Sequence, residues 1–103
     1  MMDKAIILNY IDTVKDKYKE EGLHITALFG SYSRNEADKN SDIDILVEAT
    51  PKFASTYGFG TIARLKEIQN EMNSFLGVSV NLADSTGMGK TAKKFILDRA
   101  IYV

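Results

Sequence analysis

Asp42 and Asp44 stand one residue apart, and a Gly-Ser pair, Gly30 and Ser31, precedes them by ten intervening residues. In an extended segment alternate side chains share a face, so the two carboxylates project side by side. Their repulsion is costly unless something positive sits between them. A divalent cation with oxygen ligands meets that need, and Mg²⁺ binds through one or two carboxylates plus phosphate oxygens. The Gly-Ser pair suits the phosphate side of such a complex. Gly30 permits close backbone approach. If a helix starts just after it, free amides and the hydroxyls of Ser31 and Ser33 converge on an anion site. Arg34 follows, within reach either of a phosphate or of a neighbouring acid. Taken singly, each feature has a plainer reading: an exposed strand face for the aspartates, a serine-capped turn for Gly30-Ser31.

The surrounding pattern supplies elements to position these groups. Residues 3 to 21 read as an amphipathic helix, with Ile7, Ile11, Val14 and Tyr18 at helical spacing and Gly22 as a stop. Leu23 to Phe29 reads as a strand ending at Gly30-Ser31. Ser33 and Glu36 have capping-box spacing, which places a short helix there. Asp42 to Glu48 alternates as a second strand, with Ile43, Ile45 and Val47 on one side and the two aspartates, Leu46 and Glu48 on the other. Thr50-Pro51 ends it, and KFASTYGFG reads as a loop whose aromatics serve the core, a base or a partner. Ile62, Leu65, Ile68, Met72, Phe75 and Leu76 then mark a helix closed by Gly77. Val78 to Ala83 reads as a third strand. Residues 91 to about 100 read as a last helix, with Ala92, Phe95, Ile96 and Ala100 on one side. The expectation is an α/β (α+β) fold, a small mixed sheet of three or more strands packed against helices.

Composition narrows the function classes. One hundred and three residues make a single domain, 1–103, with one modest core and any substrate site at a surface or edge. Thirteen basic residues against fourteen acidic ones give no general pull towards nucleic acid or an anionic membrane. Without cysteine there is no disulfide and no thiolate metal site. The start, MMDKAIILNY, reads as neither a signal peptide nor a membrane span, so a cytoplasmic protein is expected.

Gly30-Ser31, ten residues, then Asp42-x-Asp44, set between two strand-like runs, resembles the signature of the DNA polymerase β-like nucleotidyltransferases. At this length the chain resembles their minimal nucleotidyltransferase branch, whose members partner small helical HEPN proteins. The likeness runs through FGSYSRNEADKNSDIDILVE, LGVSVNLAD and KKFILDRAIYV. The resemblance implies a nucleoside triphosphate site, with ATP as the expected nucleotide. Gly30, Ser31, Ser33 and Arg34 would hold phosphates, and Asp42 and Asp44 would bind two Mg²⁺ ions. It further implies transfer of AMP to a hydroxyl on a HEPN-type toxin, with this chain as antitoxin, in a homo- or hetero-oligomer.

The resemblance also implies a third carboxylate on the following strand. In Val80-Asn81-Leu82-Ala83 that position holds Asn81. An amide oxygen can ligate a metal, but a neutral amide is no general base near pH 7. Asp84 lies three residues on and could turn back into the site, although its strand parity is wrong, and Glu48 shares the face of the pair and could bind through water, although it is two pleats from Asp44. A nucleotide-binding antitoxin with slow or absent transfer is therefore the alternative expectation. DSTGMGKT, residues 84 to 91, ends like a P-loop but has Asp84 where glycine is required, so it reads as a cap of the last helix. Lys90, Lys93 and Lys94 read as a solvated face, and His24 as a strand-edge residue.

Overall fold

The computed structural model describes residues 2–97 and 99–103; the side chains of Phe95 and Leu97 fall outside that description. Helix α1 spans Lys4–Glu20, its N-terminus capped by Asp3, whose carboxylate accepts the Ile6 amide at 2.9 Å. Strand β1 (Leu23–Phe29) runs antiparallel to β2 (Ile43–Ala49), and β2 runs parallel to β3 (Val80–Asp84). The β2–β3 connection carries α2 (Pro51–Tyr57), a 3₁₀ turn at Gly58–Gly60 and α3 (Thr61–Leu76). Parallel neighbours require such a crossover. A 3₁₀ turn at Ser85–Gly87 leads to α4 (Lys90–Leu97), and β4 (Ile101–Tyr102) returns antiparallel to β1. The order across the mixed sheet is β3-β2-β1-β4.

The core lies where α1 and α3 cover one face of this sheet. Ile7, Ile11 and Tyr18 from α1 and Ile68, Met72 and Leu76 from α3 meet Ile43, Ile45, Val47 and Val80. Each fully buried aliphatic side chain contributes about 1.5–3 kcal/mol before ordering costs. A β-bulge between Ile25 and Ala27 changes the parity of β1. Leu28 thereby pairs with Ile45 on the core side, and Phe29 pairs with Asp44 on the other.

The expected elements recur with four differences. No helix begins at Ser33; residues 31–35 are successive turns, and Asn35 has φ +58°, which a helix does not admit. The loop expected at KFASTYGFG holds α2, because Pro51 occupies the first helical turn, where its missing N–H costs nothing. Gly77, at φ +71°, closes α3 as expected, but β3 begins at Val80 rather than Val78. The last helix is described to Leu97; its expected continuation meets Asp98, outside the described residues, and β4 follows. No described helix is long and apolar enough to cross a membrane.

Candidate active site

Gly30 leaves β1 with φ +76°, a conformation that L side chains rarely adopt. It has a second reason to be glycine. A Cβ built there would collide with the Asp44 carboxylate, and Asp44 Cγ would lie only 3.1 Å away. The Gly30 backbone and the Asp44 carboxyl group therefore occupy adjoining space because nothing stands between them.

The turn after Gly30 is tied by its own carbonyls. The Ser33 amide donates to the Gly30 carbonyl at 3.1 Å, and the Arg34 and Glu36 amides donate to the Ser31 carbonyl at 3.2 and 2.9 Å. Among the described residues, the amides of Ser31 and Tyr32 carry no such bond. Ser33 is buried, and its hydroxyl donates to the Gly30 carbonyl at 2.7 Å and to that of Arg99 at 3.3 Å. It shapes the turn and ties it to the chain after α4, and it does not form the capping box that its spacing to Glu36 implied. Arg34 Nε donates to Glu36 Oε2 at 3.0 Å, the acid-paired alternative of the two roles open to it. Its remaining guanidinium nitrogens are separate donors.

Asp42 is exposed just ahead of β2, and Asp44 is half-buried within it. Asn81 lies directly across from Asp44 in the parallel β2–β3 register. Its side-chain Nδ2 donates to Asp42 Oδ2 at 3.3 Å and to Asp44 Oδ1 at 3.4 Å. Both bonds are long, as one nitrogen spanning two acceptors requires. Burial raises the Asp44 pKa above its ordinary value, and the Asp42 charge adds to that rise. The Asn81 hydrogen bond and the Arg34 charge pull it back down. The pair is thus held together by a neutral donor.

The two alternative acids are placed differently. Asp84 pairs with Val47, on the strand face opposite to Asp44. Its Oδ1 accepts from the Ala49 amide at 3.3 Å, the Thr86 amide at 3.0 Å and the Thr86 hydroxyl at 2.8 Å, which makes it a local cap. Glu48 is exposed and pairs with His24; four residues beyond Asp44, it is about 13 Å further along the strand. No group of three or more His, Cys, Asp or Glu among the described residues could hold a metal ion. The donor set is two carboxylates and one amide. The carboxylate oxygens suit Mg²⁺, provided phosphate or water completes the coordination, whereas Asn81 turns its NH₂ towards them.

Sequence spacing brought out Gly30, Ser31, Asp42 and Asp44, the family resemblance pointed to Asn81, and the fold brings Gly30 to Asp44 and Asn81 to both aspartates. It did not bring out the contact of Ser33 with the Arg99 carbonyl, which no local pattern signals. Of the aromatics in 53–59, Phe53 is buried and Phe59 is fully exposed.

Comparison with known proteins places residues 9–103 in the nucleotidyltransferase domain model. A Methanocaldococcus jannaschii protein, provisionally named a protein adenylyltransferase, is 32% identical over 101 residues, 97% of this chain and 93% of its own length. A solved structure provisionally described as a minimal nucleotidyltransferase superposes with a TM-score of 0.75 at 25% identity, over 99% of this chain and 97% of the other. A crystal structure of a toxin–antitoxin with AMP-PNP superposes with a TM-score of 0.61 at 26% identity, over 85% and 70%.

Proposed function

This chain belongs to the nucleotidyltransferase domain family, and from that premise we propose that it transfers AMP from ATP to a hydroxyl group on a HEPN-type partner toxin. The observation that carries the reading is the trio at the head of β2. Asp42 and Asp44 share one donor, Asn81, and Asp44 packs against the side-chain-free Gly30. Carboxylates so arranged have an unmet need for positive charge, which a magnesium–triphosphate supplies.

In this reading Asp42 and Asp44 would hold two Mg²⁺ ions, and Asn81 would ligate them only by turning its amide oxygen to where its NH₂ now lies. Ions held there would supply positive charge to the triphosphate and its leaving pyrophosphate. The amides of Ser31 and Tyr32, which carry no backbone bond among the described residues, and the Ser31 hydroxyl would receive phosphate oxygens, on a turn whose shape Ser33 maintains. Arg34 reaches a phosphate with the nitrogens that Glu36 leaves free. The acceptor oxygen attacks the α-phosphorus, the bond to pyrophosphate breaks, and the acceptor's proton departs. Asn81 cannot take that proton, so it passes to water or to a group on the partner. The relative named for protein adenylylation and the neighbouring toxin–antitoxin structure support a protein acceptor.

The test is incubation with α-labelled ATP, Mg²⁺ and a HEPN-type protein encoded beside this chain. Label on the partner, lost in Asp42→Ala and Asp44→Ala, is the expected result. The neutral Asn81 favours a second reading, an antitoxin that binds nucleotide and neutralises its partner by contact. Tight association with no label transferred is the outcome that selects it.

A further inference from the structure

Strand β3 carries Asn81 and is the outer strand of the sheet, with β2 on one edge only. Successive residues of a strand turn their backbone groups to opposite edges. The Ser79 carbonyl accepts from Ile43 of β2, so Val80 and Leu82 turn theirs outward. Neither outward amide is left to solvent. Asn73 Oδ1 accepts from the Val80 amide at 2.6 Å, and Gln69 Oε1 accepts from the Leu82 amide at 3.3 Å.

The spacing explains why one helix makes both bonds. Gln69 and Asn73 are four residues apart, so they share a face of α3, about 6 Å apart along its axis. Val80 and Leu82 are about 6.6 Å apart along β3. Asn73 meets the earlier strand residue and Gln69 the later one, so helix and strand run antiparallel. The amide side chains of α3 thus do what a fifth strand would do at this edge. They also fix β3 along its own axis. A one-residue slip would turn Asn81 to the core face, and Asn81 is the residue between the two clamped amides.

We propose that Gln69 and Asn73 are positioning residues that hold Asn81 in place across Asp42 and Asp44. They touch neither nucleotide nor metal and act through β3. The proposal rests on the nucleotidyltransferase reading of the site, and its test separates the two. In the full chain, titration of Mg²⁺ with AMP-PNP is followed by NMR at the Asn81 side-chain NH₂. No response in the unaltered protein overturns the site reading itself.

Gln69→Leu and Asn73→Leu are expected to shift the Asn81 NH₂ resonances before any ligand is added. They are also expected to weaken binding of Mg²⁺–AMP-PNP about 10-fold, the scale of losing an outer-shell partner. Gln69→Glu and Asn73→Asp, which keep an acceptor oxygen, are expected to restore both. Folded leucine variants with unchanged Asn81 resonances and affinity overturn the proposal. So do acidic variants as impaired as the leucine ones. If the leucine variants do not fold, hydrogen exchange in the unaltered protein decides. The Val80 and Leu82 amides are expected to exchange as slowly as that of Asn81, and exchange at the rate of an open strand edge overturns the proposal.

Discussion

Two polar clusters flank this small core, and they treat their acids in opposite ways. Between α1, α2 and α3, every carboxylate has partners. Arg64 makes two bonds of 2.7 Å to Glu21 and reaches Glu71 at 3.4 Å. Tyr57 also donates to Glu21, and Tyr18 donates to Glu71 at 2.7 Å. The Arg64 hydrogen bond is the main reason that the Glu21 pKa lies below its usual value, and the Tyr18 hydrogen bond does the same for Glu71. At the head of β2 the sign is reversed. Burial raises the Asp44 pKa and the Asp42 charge adds to the rise, while a shared amide bond and the Arg34 charge offset it only in part. The first cluster is complete within the chain and fastens helices together. The second stays electrostatically unfinished, as expected of a site whose counter-charge arrives with its ligand.

The sharpest way to break this contrast is to remove an acid from the second cluster. Asp44→Ala is expected to lower partner labelling at least 100-fold, beyond the loss typical of an outer-shell change. Asp44→Asn is expected to abolish labelling as well while the melting temperature holds. A fall of several degrees would show that the aspartate stabilises the fold, and the contrast would fail. In the first cluster, Arg64→Ala is expected to cost about 2 kcal/mol in urea denaturation, the scale of hydrogen bonds to a charged group. Arg64 and Glu21 are only 15% and 20% exposed, so solvent does little to replace the pair. An unchanged midpoint would remove the structural role assigned to that network.

Asn81→Asp tests whether the unfinished site lacks a base. About a 10-fold rise in labelling is expected, together with a lower melting temperature without Mg²⁺, because a third charge joins two that already repel. No gain would mean that Asn81 is not what limits transfer.

The mildest test is pH. Glu21 and Glu71 have folded pKa values below their unfolded ones. Their contribution is complete above the unfolded value near 4.5 and is lost as pH falls through the lowered folded values. Asp44 works the other way. Its charge disfavours the fold above its raised folded pKa, and that cost is relieved as pH falls. Denaturation midpoints across pH 3 to 7 are expected to fall with acid, and to fall more steeply in Asp44→Asn. At the alkaline end, burial and then Glu71 raise the Tyr18 pKa, so stability is lost as pH climbs past 10. The Glu71 part of these effects is small because Glu71 is nearly half exposed.

Much of this was legible because it obeys a period. The 3.6-residue stripe of α1 and the alternation of β2 gave their faces, and the α3 stripe gave the buried Ile68, Met72 and Leu76 but also the exposed Ile62 and Phe75. The spacing from Ser31 brought out Asp42 and Asp44, with Asn81 pointed to by the resemblance. What escaped detection was non-periodic. Helix α2 is seven residues long, and its opening proline reads equally as the end of a strand. Strand β4 is two residues long and is specified by β1, not by its own sequence. The Ser33–Glu36 spacing misled because Asn35 breaks the backbone between them. The edge role of Gln69 and Asn73 shows in the sequence only as two amides beside the core positions Ile68 and Met72.

Asp42 and Asn81 are exposed at the rim of the sheet. A bound triphosphate would therefore face open water on one side, and water competes with any hydroxyl for the α-phosphorus. In the proposed reading, the acceptor would form a wall on that side. Docking of the partner would complete the chamber and exclude the competing nucleophile in one event, so idle hydrolysis of ATP by the lone chain should decline as the partner occupies it.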